Sequence, residues 1–279
     1  MPGPVTAGVA AVAAAGAAWG LFEAAWVRLR ELEVPLERLP PELDGIRVAH
    51  LSDFHLGAPS PSIRAVSRAV DWVAARAPEL VLISGDLLTH PRGERKLREL
   101  VRRIPGAYAV LGNHDFGDAR DPLASPSRLE QIEPARLLRD DAVTLELRGR
   151  RVQIVGVDPR SYKSGAARPH ERVDEEAELR ILLCHYPLVF DRVPPGSFDL
   201  VLTGHLHDGQ IAIPYGFGKI RLAHFDWRYA RGVYRRDGGV MHVSPGLGTT
   251  FVPFRFGARP EVTELTLRSA KRWQPGSRA

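Results

Sequence analysis

The sequence predicts an α/β fold, and two observations carry that expectation. Five short apolar runs each end in a polar cluster: RVAHL before Ser52, LVLIS before Gly85, YAVL before Gly112, ILL before Cys184 and LVLT before Gly204. Between the first three runs lie two stretches with helical periodicity. Such runs suit strands covered on both faces, with functional groups at their carboxyl ends. All five clusters are therefore expected along one rim of one sheet.

The elements follow in order. Residues 1–22 carry no charged side chain, and the stretch from Val5 to Val27 contains only Glu23. About 20 such residues are enough to cross a bilayer. No Lys or Arg precedes the run, as one would in a secretory signal. Arg28 and Arg30 come after it, so a retained helix would leave the following domain in the cytoplasm. The other expectation is an Ala-rich helix packed on the domain or lying in the membrane interface, with Leu21, Phe22, Trp26 and Val27 as its apolar face. Residues 1–30 are thus predicted as an apolar helix and membrane anchor. Pro35, Pro40 and Pro41 place a linker at 31–45, and one large domain spans 46–279.

Within that domain, Ile63, Val66, Val70 and Val73 recur at helical spacing after Ser60-Pro61, as do Leu97, Leu100, Val101 and Ile104 further on. Val143, Leu145 and Leu147 alternate with polar residues ahead of Val152, Ile154 and Val157, which predicts an antiparallel pair in a second sheet. Residues 158–177 are polar and read as a loop, and Val262 to Leu267 read as a closing strand.

The clusters themselves are SDFH (Ser52 to His55), GD (Gly85, Asp86), GNHD (Gly112 to Asp115), CH (Cys184, His185) and GHLH (Gly204 to His207). In an extended Asp53-Phe54-His55 both polar side chains would fall on one side and Phe54 on the other, and His205-Leu206-His207 repeats the pattern. Mixed carboxylate and imidazole donors suit Mn, Fe, Zn or Co. A carboxylate such as Asp86 can bridge two ions, and two ions roughly 3.5–4 Å apart can clamp a phosphoryl oxygen for in-line displacement. His50, His90, His170, His224 and His242 lack paired spacing and are expected in structural or solvent-exposed roles, His90 being the one nearest to a substrate-side exception. A single Cys184 excludes an internal disulfide. A formal charge of +5 favours anionic partners: phosphorylated substrates, acidic headgroups or nucleic acid.

The order D-x-H, GD, GNHD, H, GHxH resembles that of the calcineurin-like metallophosphoesterases. The resemblance implies a four-layer α/β/β/α sandwich and two divalent metal ions (Mn, Fe or Zn). Carried over by motif, Asp53, His55 and His207 correspond to ligands of one metal, and Asn113, His185 and His205 to ligands of the other, with Asp86 shared. His114 then corresponds to the non-ligand histidine that protonates the leaving oxygen, with Asp115 orienting its ring. The segments YARGVY, VSPGLGTT and PFRFGARPE resemble the bacterial membrane-associated branch, which includes UDP-2,3-diacylglucosamine pyrophosphatases. One departure is GHLHDGQ where that branch often has GHTHGGQ, so that Asp208 adds a negative charge beside the site.

Together these features imply a hydrolase of phosphodiester or pyrophosphate bonds acting on a phosphorylated small molecule or lipid-linked nucleotide at the membrane surface. A broad phosphodiesterase or nuclease is the alternative, although the Arg-rich stretches read first as solvated faces, so that nucleic acid is not the expected partner. A metal-free scaffold is disfavoured by seven intact ligand positions.

Overall fold

The computed structural model describes residues 4–118, 120–216, 218–222 and 228–270. His224 lies outside them. An apolar helix, α1 (Pro4–Ala25), leads into β1 (Arg28–Leu36), then β2 (Arg47–Leu51), α2 (Ser62–Arg76), β3 (Leu80–Ser84), α3 (Glu94–Val101), β4 (Tyr108–Val110) and β5 (Arg136–Leu137). The second half comprises β6 (Asp141–Leu147), β7 (Arg150–Gly156), α4 (Pro159–Ser164), β8 (Leu179–Leu183), α5 (Val189–Arg192), β9 (Leu200–Thr203) and the small pair β10 (Ala212–Tyr215) and β11 (Gly218–Arg221). It closes with β12 (Gly232–Arg236), β13 (Gly239–Val243) and β14 (Glu261–Ser269).

Two six-stranded sheets result, in the orders β1-β14-β2-β3-β4-β5 and β12-β13-β9-β8-β7-β6. Strands β2, β3 and β4 run parallel, as do β7, β8, β9 and β13, while β6 and β7 form the expected antiparallel pair. Strand alternation sorts the core into layers. Val48, Leu80 and Leu82 meet Ile154, Ile181 and Leu202 between the sheets. Ala49, Val81 and Ile83 turn the other way onto Val66, Val70 and Val73 of α2 and Leu97 and Leu100 of α3. Each such fully buried valine or leucine contributes about 1.5–3 kcal/mol. Leu182, Val201 and Met241 face outward onto Tyr162 of α4 and Phe190 of α5, with Cys184 buried beside them. The fold is a four-layer mixed α/β sandwich with an apolar helix ahead of it.

Three expectations change. The site clusters come from both sheets, since the parallel runs before Ser52, Gly85 and Gly112 lie in one and those before Cys184 and Gly204 in the other. Residues 31–45 are no linker: β1 pairs in parallel with β14 along its whole length, and Val34, Leu36, Leu39 and Leu43 are buried. Its Pro35 is tolerated because β1 is an edge strand. Residues 158–177 include α4 and a 3-10 turn at Pro169–Arg172, the former started by the Asp158 carboxylate accepting from Arg160 N.

Candidate metal centre

Asp53 and His55 follow β2, Asp86 follows β3, the Asn113-His114-Asp115 turn follows β4, His185 follows β8, and His205 and His207 follow β9. The turns that carry them are not extended. Asp53, His55, Asp86, His205 and His207 all have positive φ, between 49° and 78°. The side-by-side placement of Asp53 and His55 therefore arises from left-handed turns, a conformation that Asp and His adopt more readily than most residues and that functional sites often retain. Phe54 between them is buried on the helix side of the first sheet. Glycine is required at two points. A Cβ on Gly112 would collide with the Asp86 carboxylate, and one on Gly204 with Ser52 and Asp53.

Ligand-capable atoms gather in groups whose members lie within 4.8 Å of one another: Asp53, His55 and His207; His55, Asp86 and His114; Asp86, His185 and His205. The His207 Nε2 lies 3.4 Å from Asp53 Oδ1, and His55 Nε2 lies 3.5 Å from Asp86 Oδ2. On the other side His185 Nε2 sits 3.2 Å from Asp86 Oδ2, 3.2 Å from Asn113 Oδ1 and 3.1 Å from His205 Nδ1. Asp86 thus stands between two donor groups. Among the seven residues only His205 is half-buried, and the others are buried.

Ring orientations are set from behind. Ser84 O is 2.9 Å from His185 Nδ1, which places the proton there and frees Nε2 toward the site. Thr89 Oγ1 holds His55 Nδ1 at 3.0 Å. Behind His207 stands Arg255, which the sequence reading passed over. It is fully buried, donates to the carbonyls of Pro245, Gly248 and Ala258, and places Nη2 3.1 Å from His207 Nδ1. Burial lowers its pKa to about 10. The signal was present in PFRFGARPE, but an arginine in a sequence reads as a surface residue.

The expected contact between Asp115 and the His114 ring is not made. Asp115 accepts instead from the backbone amides of Gly112, Leu87 and Leu88, tying the GNHD turn to the GD turn. The His114 Nδ1 is buried without a hydrogen-bond partner among the described residues. Burial and the neighbouring His55 lower the pKa of His114 to about 4, while burial and Asp86 raise that of Asp115 to about 7. Of the remaining histidines, His50, His90 and His242 have local structural partners. His50 and His242 form a buried pair, and the His90 ring accepts from Arg92 N in a local cap. Asp208 does not leave an open charge, because Lys219, Arg221 and Arg231 surround it.

The donor set fits divalent cations. Burial alone would raise the pKa values of Asp53 and Asp86, yet neighbouring histidines hold both carboxylates below their usual range. Their close partners among the described residues are imidazoles and backbone amides, with no Lys or Arg. Buried ionised carboxylates of this kind coordinate metals or stand next to cations. For His185, burial opposes charging but Asp86 and Asp53 raise its pKa to about 9, a further mark of excess negative charge in the cluster.

Donors so arranged at the strand ends of a four-layer sandwich define a metal-dependent phosphoesterase. The chain belongs to the calcineurin-like phosphoesterase family, whose sequence model matches residues 46–209, and members of that family use a dimetal centre. It is 27% identical over 243 residues to the metallophosphoesterase YkuE of Bacillus subtilis, covering 83% of this chain and 82% of that one. It is also 30% identical over 287 residues to a transmembrane protein with metallophosphoesterase domain from Danio rerio, covering 91% of this chain and 60% of that one. Among solved structures it is similar to TT1561 of Thermus thermophilus, with a TM-score of 0.42 and 12% identity over 72% of this chain and 89% of that one.

Proposed function

We propose that the protein hydrolyses a phosphodiester or pyrophosphate bond in a lipid-linked nucleotide at a membrane surface, the most concrete substrate being UDP-2,3-diacylglucosamine, cleaved to UMP and the acylated sugar phosphate. The observation that carries the hydrolytic part is the position of Asp86 between two groups of donors, all buried except the half-buried His205. Asp53, His55 and His207 would hold one divalent ion, Asn113, His185 and His205 the other, and Asp86 both. When bound, the ions supply a nucleophile at neutral pH and stabilise charge on the phosphoryl oxygens.

The chain's own residues do the rest. Ser84 and Thr89 fix two ligand rings, which avoids reorganisation as charge develops. His114 lies edge-on to His55 at 4.5 Å between ring centroids, and we assign its Nε2 as the atom that gives a proton to the leaving oxygen, because Nδ1 is buried. An anionic phosphate beside it raises its pKa toward the working range. Membrane placement is supported by α1, whose Gly8–Ala25 segment is only 17% buried, and by the relative named as a transmembrane protein. Residues 1–30 act as the anchor in this reading, with the catalytic domain in the cytoplasm and β1 belonging to that domain.

The test is an assay of the purified protein with Mn²⁺ against UDP-2,3-diacylglucosamine, dinucleotides and single-stranded DNA. Release of UMP at the highest kcat/KM is expected. Preference for DNA would overturn the lipid reading in favour of the nuclease alternative.

A further inference from the structure

The departure from the family pattern at Asp208 has a structural partner in the β10–β11 hairpin. Ile213 pairs directly with Ile220, and Ala212 with Arg221. Alternation therefore puts Ile213, Tyr215, Ile220 and Leu222 on one face, where each is between 45 and 56% exposed. Lys219 and Arg221 lie on the other face and reach the buried Asp208 carboxylate, at 3.3 and 2.8 Å. The hairpin is thus clamped to the turn that carries His207 by its basic face, and its apolar face is turned outward.

The hairpin lies at the same end of the molecule as the helix. Strand β1 is parallel to β14, which is antiparallel to β2, so β1 starts where β2 ends. Asp53 and His55 stand at that end, and α1 arrives there directly before β1. The chain segment 254–258 joins the two features: Phe256 O accepts from Ala212 N, and Glu23 of α1 accepts from Gly257 N and Ala258 N. Trp19 and Phe22 near the helix end are exposed. At 22 residues α1 is about 33 Å long, which matches a bilayer core of roughly 30 Å.

We propose that the outward face of the β10–β11 hairpin is a second membrane contact, inserting into an anionic bilayer beside α1 and setting the mouth of the metal centre against the lipid surface. The inference rests on the reading of the enzyme as one that takes a lipid-linked phosphate. Charge complementarity selects the occupant. Among the described residues, Arg28, Arg30, Lys219, Arg221 and Arg231 share Asp208 and Glu261 as their ion-pair partners, five cations to two carboxylates, which leaves a surplus of positive charge at the base of the hairpin behind its apolar face. An apolar face with an aromatic residue and basic residues behind it is the composition that sits in the headgroup boundary of acidic lipid. A helix alone leaves the domain free to tumble about its tether, whereas helix and hairpin together fix which side faces the lipid.

The experiment uses the full chain in vesicles of phosphatidylcholine and phosphatidylglycerol. The native Cys184 is buried, so Ile220→Cys offers a single labelling site for a polarity-sensitive dye, and Arg102→Cys, at the opposite end after α3, is the reference. We expect the dye at 220 to shift to the blue and to be quenched by lipids with brominated acyl chains, while the dye at 102 stays in water. A dye at 220 that remains in water, or a full chain that does not bind the vesicles, overturns the contact. Ile213→Lys with Ile220→Lys is the functional arm: hydrolysis of the vesicle-embedded lipid should fall about tenfold or more, with a soluble diester affected less than about twofold. Equal loss on both substrates would also overturn it. If the dye enters the bilayer and no lipid phosphate is cleaved by the unsubstituted chain, the contact stands and the substrate reading fails.

Discussion

The Nε2 atoms of His55 and His207 lie 3.0 Å apart although 152 residues separate them in the chain. One follows β2 in the first sheet and the other β9 in the second, so this contact exists only because the two sheets stack. Two imidazole nitrogens facing each other in a buried site need a proton or a cation between them, and Asp53 beside both favours the cation.

His114→Ala should retain metal and lose rate, by roughly 10²–10⁴-fold for a diester with a poor leaving group. The loss should shrink for a p-nitrophenyl ester, whose leaving oxygen needs little protonation. Equal losses on both, measured as kcat/KM, would show that His114 positions the phosphate and does not donate the proton.

Asp115→Ala should behave differently. Its carboxylate satisfies the amides of Gly112, Leu87 and Leu88, so removal costs about 1–3 kcal/mol of stability for the groups left unpaired. Activity per metal-loaded molecule should lack the leaving-group signature of His114→Ala. Were that signature to appear, Asp115 would be orienting the ring after all.

Stability should fall with acid through a pair outside the metal centre. His50 and His242 share a Nδ1 contact of 2.8 Å between the sheets, and burial lowers His50 to about 3 and His242 well below its ordinary value. The unfolded rings take up protons below about pH 6.5 while the folded ones do not, so stability is complete above that pH. It is lost progressively toward pH 3, by at most about 1.4 kcal/mol per pH unit for each ring. Urea unfolding midpoints from pH 7 to 4 would check this. A double His50→Leu, His242→Leu chain with an unchanged slope would contradict it.

Deleting residues 1–25 should release a soluble domain from membranes while keeping β1, since β1 covers the edge of β14. Sedimentation of the two forms with vesicles checks the anchor, and an unanchored full-length protein would sink it. Deletion through residue 36 should in addition destabilise the domain, because it removes a paired edge strand.

The parts of the fold that were legible are those whose signal is local. Val66, Val70 and Val73 repeat at helical spacing and form the buried face of α2, and LVLIS is the fully buried β3. Strand β1 was hidden because Pro35 and the charged residues around it look like linker, while an edge position accepts both. Which sheet a strand joins depends on pairings far apart in sequence, so the division of the five clusters could not be read from the runs. The site residues were named by their motifs, whereas the left-handed turns, the Asp115 amide contacts and the cation behind His207 follow from packing. Glu23 reads as a lone charge in an apolar helix, yet it is buried and caps the amides of Gly257 and Ala258.

The most direct test of the central claim is the metal content of the intact protein and of Asp86→Ala after loading with Mn²⁺ and desalting, read by mass spectrometry of the metal alongside hydrolysis of a soluble diester. Two ions per chain are expected for the unsubstituted protein, falling to one or none with hydrolysis abolished in Asp86→Ala. Two tightly held ions and full activity in Asp86→Ala would contradict the shared carboxylate on which this account of the site depends.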